Sequence, residues 1–120
     1  MRLARFDGGR LGVVMGEEIA DITALCGVDP QEWPAVGMVR LIRDFDALKG
    51  KIEAALPDLP RLPLSAVRLE TPVAWPNKVI AYPVNYHAHG REMQATYRAT
   101  NQGFFLKPNS ALSGPADPVV

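Results

Sequence analysis

Arg2-Leu3-Ala4-Arg5-Phe6-Asp7-Gly8-Gly9-Arg10-Leu11-Gly12-Val13-Val14-Met15 sets an alternating polar–apolar run and an apolar run on either side of Asp-Gly-Gly-Arg. Asp-Gly and Gly-Gly supply the positive φ angles of a tight reversal, so the stretch predicts a β-hairpin. A second turn at Gly16-Glu17-Glu18 leads into Ile19-Ala20-Asp21-Ile22, a third strand. The chain therefore opens on a small antiparallel meander. Thr23 is placed as the N-cap of a short helical turn ending near Gly27. Cys26 lies in the apolar run Ile22-Thr23-Ala24-Leu25-Cys26 and reads as a buried small hydrophobe rather than a reactive thiol.

From Pro30 to Leu56 the spacing becomes helical. Val36, Val39, Leu41 and Ile42 lead into Phe45, Leu48, Ile52 and Leu56, and the last four share one helix face. Gly37 and Gly50 are the weak points, so one interrupted helix and two short ones both fit. Pro57-Asp58-Leu59-Pro60-Arg61-Leu62-Pro63 cannot continue a helix and predicts an extended linker. Residues 1–72 are thus expected to form an accessory cap, with a proline-rich linker at 57–72. A second region at 73–120 follows.

That region holds a short apolar strand at Lys78-Val79-Ile80-Ala81, then Pro83-Val84-Asn85-Tyr86. His87 to Tyr97 has helix formers of mixed polarity. Phe104-Phe105-Leu106 predicts a buried strand closed by Lys107-Pro108. Ser110 to Pro118 is turn chemistry, and Val119-Val120 reads as the first residues of another strand. An apolar strand with nothing to pair with is an unfavourable end for a domain, so the second region is expected to be incomplete. The fold class expected is α+β, mostly β.

Composition narrows the function classes. The 120 residues carry 13 basic and 13 acidic side chains and 48% hydrophobic residues. That is enough apolar material for a core. The balanced, interspersed charge leaves no electrostatic footprint for nucleic acid or an anionic membrane. No run approaches the ~20 apolar residues of a membrane-crossing helix. The first residues lack the apolar centre of a signal peptide. One cysteine permits no internal disulfide and no thiolate zinc cluster, in keeping with a cytoplasmic location.

The only two histidines, His87 and His89, stand two residues apart. In a helix they diverge by about 200°, so they do not form the i, i+4 pair that ligates metals there. His89 and Glu92 are i, i+3 neighbours on one helix face. A carboxylate beside an imidazole fixes its tautomer and raises its basicity, which supports a general base. A plain surface contact is the alternative. Lys107, at the end of an apolar strand, either reaches a carboxylate or snorkels into solvent. Asn85 and Tyr86 follow a strand, where site-lining residues gather. Phe6 and Tyr97 read as packing residues. Gly8-Gly9 lacks the helix a phosphate loop requires.

Three motifs in fixed order carry a resemblance: Asn85-Tyr86-His87-Ala88-His89, Phe105-Leu106-Lys107-Pro108, and Ser110-Ala111-Leu112-Ser113-Gly114-Pro115-Ala116-Asp117-Pro118-Val119. The stretch from Pro76 onward resembles the N-terminal portion of the fumarylacetoacetate hydrolase family, bacterial type. The first ~70 residues look like that family's cap. The resemblance implies a metal-dependent enzyme acting on a small β-diketo or enol-keto acid, by C–C bond hydrolysis, isomerisation or decarboxylation. It implies His89 as the catalytic histidine with Glu92 as its partner. Tyr86 would be a substrate contact, and Lys107 would line the site.

His87 stands where many relatives have Asp. Pro83 replaces a common Gly, and Val84 stands where some members place a carboxylate-holding Arg. The family's Glu-x-Glu and Asp metal ligands follow the Gly-Pro-x-Asp-Pro segment, so no metal ligand is assigned within these residues. The cation would be Mg²⁺, with Mn²⁺ or Ca²⁺ as alternatives. The expected state is a homodimer, and the segment alone is expected to be inactive. A non-catalytic binding or dimerisation module on the same scaffold is the competing expectation.

Overall fold

The computed structural model describes residues 1–92 and 103–118. The helical reading of Met93 to Tyr97, the packing role of Tyr97 and the strand at Val119-Val120 fall outside them. Contacts group the chain into two units, Met1–Trp75 with the returning segment from Leu112, and Pro76–Ala111.

The opening meander forms as its turn chemistry dictates. Strands β1 (Arg2–Phe6), β2 (Arg10–Met15) and β3 (Glu18–Asp21) pair antiparallel, with Phe6 opposite Arg10 and Met15 opposite Glu18. Asp7, Gly8 and Gly9 all take positive φ in the first loop. Gly16 takes φ 63° at the first central position of the two-residue loop, as a II′ hairpin requires. The sequence predicts an extended linker for the proline-rich segment, but residues 56–58 turn and only its end is extended. Arg61–Pro63 forms β4 and pairs with β3, giving a four-stranded sheet in the order β1-β2-β3-β4. Pro63 fits there because an edge strand tolerates a missing donor.

The register assigns the faces. Leu11 and Val13 point to the side where Ile22, Met38, Leu41 and Ile52 close the main core. Phe6 and Ile19 lie on the opposite face and are fully buried. Gly12 makes room for both, since a β-carbon there would lie 2.5 Å from Ile19 and 3.0 Å from Phe6. Each fully buried Leu, Ile or Phe contributes roughly 1.5–3 kcal/mol. Cys26 is half-buried and packs against this core, which pushes its thiol pKa up.

Two helices cover the first face, α1 (Gly37–Arg43) and α2 (Phe45–Ala55). The break falls at Asp44, not at either glycine flagged by the sequence. Gly50 lies inside α2, and Gly37 opens α1, where a β-carbon would meet Val28 at 2.6 Å. Asp44 closes α1 and opens α2 at once. Its amide donates to Arg40 O, and its carbonyl accepts from Ala47 and Leu48.

Thr23 also departs from expectation. It caps no helix; residues 23–27 form turns that end at Gly27, φ 61°. Its buried hydroxyl accepts from Leu11 N at 2.9 Å and contacts Asp21 Oδ1, while its amide donates to Asp21 Oδ1 at 2.9 Å. Pinning β2 satisfies a buried strand amide, a stronger demand than capping one exposed turn.

Charged groups knit the rim of this unit. The Glu70 carboxylate accepts from Gly8 N and Gly9 N and pairs with Arg5 at 2.8 Å. Arg10 stacks over Phe6 at 4.7 Å and pairs with Asp21. Asp117 accepts from Gly114 N and pairs with Arg68, which ties the returning segment into the unit.

The second unit is built differently. Strand β5 (Val79–Ala81) pairs antiparallel with β6 (Phe105–Lys107), and helix α3 (His87–Glu92) lies between them in sequence. The expected strand at Phe104-Phe105-Leu106 exists one residue later and is exposed, not buried. Two strands alone present no second layer to cover their side chains.

Candidate active site

The loop from β5 to α3 delivers the residues singled out by the sequence. After Ala81 comes Tyr82, whose ring meets Phe104 edge-on at 6.4 Å, then Pro83, Val84, Asn85 and Tyr86. Val84 takes φ 46°, the left-handed region that a β-branched residue rarely adopts. Tyr86 lies just before α3, exposed, and its carbonyl accepts from Gly90 N at 3.0 Å.

Helix α3 presents His89 and Glu92 one turn apart. His89 Nδ1 stands 3.8 Å from Glu92 Oε2, and the two side chains are 52% and 76% exposed. That separation exceeds a hydrogen bond but lets a protonated imidazole feel the carboxylate. Both groups are open to solvent in this unit, so water screens the interaction.

Lys107 stands at the other end of the β5–β6 ribbon. It ends β6 opposite Val79, whereas the chain leaves β5 for the His89 loop from Ala81, opposite Phe105. Lys107 and Tyr86 are both exposed. Among the described residues, no three His, Cys, Asp or Glu side chains gather as a metal site. The residues described here therefore do not by themselves fit a divalent cation.

Sequence reasoning passed over two features, one in each unit. The first is the left-handed backbone at Val84, which no sequence signal reveals because β-branched residues avoid that region. The second is the role of the Gly114-Pro115-Ala116-Asp117 turn. Asp117 is engaged by Gly114 N and by Arg68, which together hold its carboxyl below the usual range. Its Asp-after-Gly-Pro pattern was a legible sign of a turn, but its partner 49 residues away was not.

No family model matches the chain. The chain is 41% identical over 131 aligned positions to the maleylpyruvate hydrolase of Aquipseudomonas alcaligenes, covering 99% of the chain and 46% of that protein. It is 72% identical to maleylpyruvate hydrolase from Sphingobium sp. SYK-6, whose crystal structure is a complex with manganese(II) and pyruvate. The TM-score there is 0.87, with 100% of this chain and 42% of that one covered. A second crystal structure from Sphingobium sp. SYK-6 gives 73% identity and a TM-score of 0.86 over 99% of this chain and 42% of that one. The chain thus spans less than half the length of the relatives it matches. Over essentially all of its length the chain is thus similar to members of the fumarylacetoacetate hydrolase family, and it carries the Asn-Tyr, Phe-x-Lys-Pro and Gly-Pro-x-Asp-Pro signatures.

Proposed function

We propose that this chain is part of an enzyme that hydrolyses a C–C bond of a maleylpyruvate-like 1,3-dicarbonyl acid. The observation that carries the proposal is 72% identity, over the full chain, to a maleylpyruvate hydrolase crystallised with manganese(II) and pyruvate. Pyruvate is the class of keto acid that such a cleavage releases, beside a second carboxylic acid.

In this reading His89 is the general base that takes a proton from the attacking water. Hydroxide adds to the carbonyl, the adjacent C–C bond breaks, and the carbon that leaves with the electron pair is reprotonated. Glu92 supports the imidazolium that forms on His89. Tyr86 contacts the substrate. Lys107 lines the site as a counter-charge to a carboxylate. A divalent cation, magnesium as the family resemblance implies or manganese as in the relative, belongs to the proposal. Its ligands are not supplied by the described residues. A homodimer and a cytoplasmic location complete it, and no helix of the described residues is long and apolar enough to cross a membrane.

The test is turnover of maleylpyruvate by the full-length enzyme in Mn²⁺ or Mg²⁺. His89→Ala is expected to lower kcat on the order of 10²–10⁴-fold. The 120-residue chain alone is expected to show no turnover. Retained activity in His89→Ala would remove the base assignment, and activity of the chain alone would remove the need for further residues.

A further inference from the structure

Val84 and Gly90 meet across the turn into α3. A β-carbon at position 90 would lie 3.2 Å from Val84 Cγ1, tighter than an ordinary contact. From Asn85 to Glu92, Gly90 is the one residue that is not exposed, and Val84 is likewise half-buried. Two costs are therefore accepted at one spot. A β-branched residue is held at φ 46°, where valine is strained. A glycine interrupts a six-residue helix, where almost any other residue would favour helix formation. Neither cost has a local explanation by itself; each is accounted for by the other. The left-handed turn folds the Val84 side chain back onto the helix, and the missing side chain at Gly90 gives it a place to rest. Gly90 follows His89 directly, and its amide donates to Tyr86 O at 3.0 Å.

We infer that Val84 and Gly90 form a packed seat that sets the position of α3, and with it His89 and Glu92, relative to the loop carrying Tyr86. Both are positioning residues, and the inference rests on His89 being the base. Small displacements of a base from its near-attack geometry cost rate far more than they cost binding.

The experiment is a double-mutant cycle in the full-length enzyme with maleylpyruvate. Gly90→Ala is expected to lower kcat by roughly tenfold to a hundredfold with KM nearly unchanged. Val84→Ala in the Gly90→Ala background removes the crowding methyl and is expected to restore most of that loss. Val84→Gly relieves the backbone and removes the seat, and is expected to lower kcat without unfolding the protein. Helix propensity alone predicts the opposite for Gly90→Ala, a better-ordered helix with activity intact. Parental kcat in Gly90→Ala overturns the inference, and so does failure of Val84→Ala to rescue it. If Gly90→Ala does not fold, parental kcat in Val84→Gly overturns it instead. His89→Ala in the same assay separates the two claims. If it turns over like the parent, the base assignment fails. If it is inactive while Gly90→Ala and Val84→Gly behave as parent, only the seat fails.

Discussion

The two units of this chain spend similar apolar residues in opposite ways. Between Met1 and Trp75, Phe6, Leu11, Ile19, Ile22, Leu41 and Ile52 are fully buried between a four-stranded sheet and two helices or on the sheet's other face. Between Pro76 and Ala111, Ile80, Tyr82, Phe104, Phe105 and Leu106 are all exposed, and no described hydrophobic residue is buried. The residues proposed for catalysis sit in the second unit. A packed core and a reactive loop are therefore separate inheritances of this chain. Its own stability resides in the first unit, while the site residues stand on a two-stranded ribbon that is marginal alone in water.

The sharpest test of that contrast is a matched pair of truncations in the 120-residue chain. Leu41→Ala opens a cavity in the core and is expected to destabilise by about 2–5 kcal/mol in urea unfolding. Leu106→Ala removes the same atoms from an exposed strand and is expected to stay within about 0.5 kcal/mol. Equal losses at the two positions would break the comparison.

A smaller effect probes how the first unit satisfies its polar groups. Thr23→Val keeps the shape but leaves the buried Leu11 amide without its acceptor. A loss of about 1–3 kcal/mol is expected, read from the same unfolding curves. A neutral result would mean that water or backbone takes over the contact.

The smallest expected effect is a pH dependence confined to the first unit. Burial alone would raise the Asp21 carboxyl, but hydrogen bonds from Thr23 and the Arg10 guanidinium outweigh it and hold its pKa below the ordinary value. The unfolded chain therefore takes up a proton at higher pH than the folded one. The Asp21 contribution is complete above the ordinary carboxylate pKa of about 4 and is lost as pH falls through the folded value. Asp21→Asn should lower stability at neutral pH and flatten the decline of the unfolding midpoint below about pH 4. An unchanged acid limb would place that decline elsewhere.

Much of the fold was legible because it depends on near neighbours. Asp7-Gly8-Gly9 and Gly16 specify their turns through φ angles that other residues resist, and the hairpin register follows. The apolar run at Val79 to Ala81 located β5, and the helical spacing from Pro30 to Leu56 located the stretch of α1 and α2, for the same reason. Where expectation and structure part, a distant partner decided. Thr23 answers to Leu11 on the neighbouring strand. Arg61–Pro63 finds the free edge of β3. Phe105 and Leu106 are apolar enough for a core but have no second layer over them among the described residues. The site was legible through its motifs, not through its geometry. Spacing put His89 and Glu92 on one face, and the structure has them 3.8 Å apart, while Lys107 lies toward the other end of its ribbon.

By itself, the sequence determined the meander, the helical stretch between Pro30 and Leu56, the i, i+3 relation of His89 and Glu92, and the family signatures. Each depends on torsional preference or spacing within a few residues. Only the tertiary structure decided that Asp44 divides the helices, that Glu70 and Arg68 fasten loops far from them in sequence, and that Val84 adopts a left-handed turn against Gly90. Those outcomes depend on which surfaces meet, and a contact between residues distant in sequence leaves no periodicity to read.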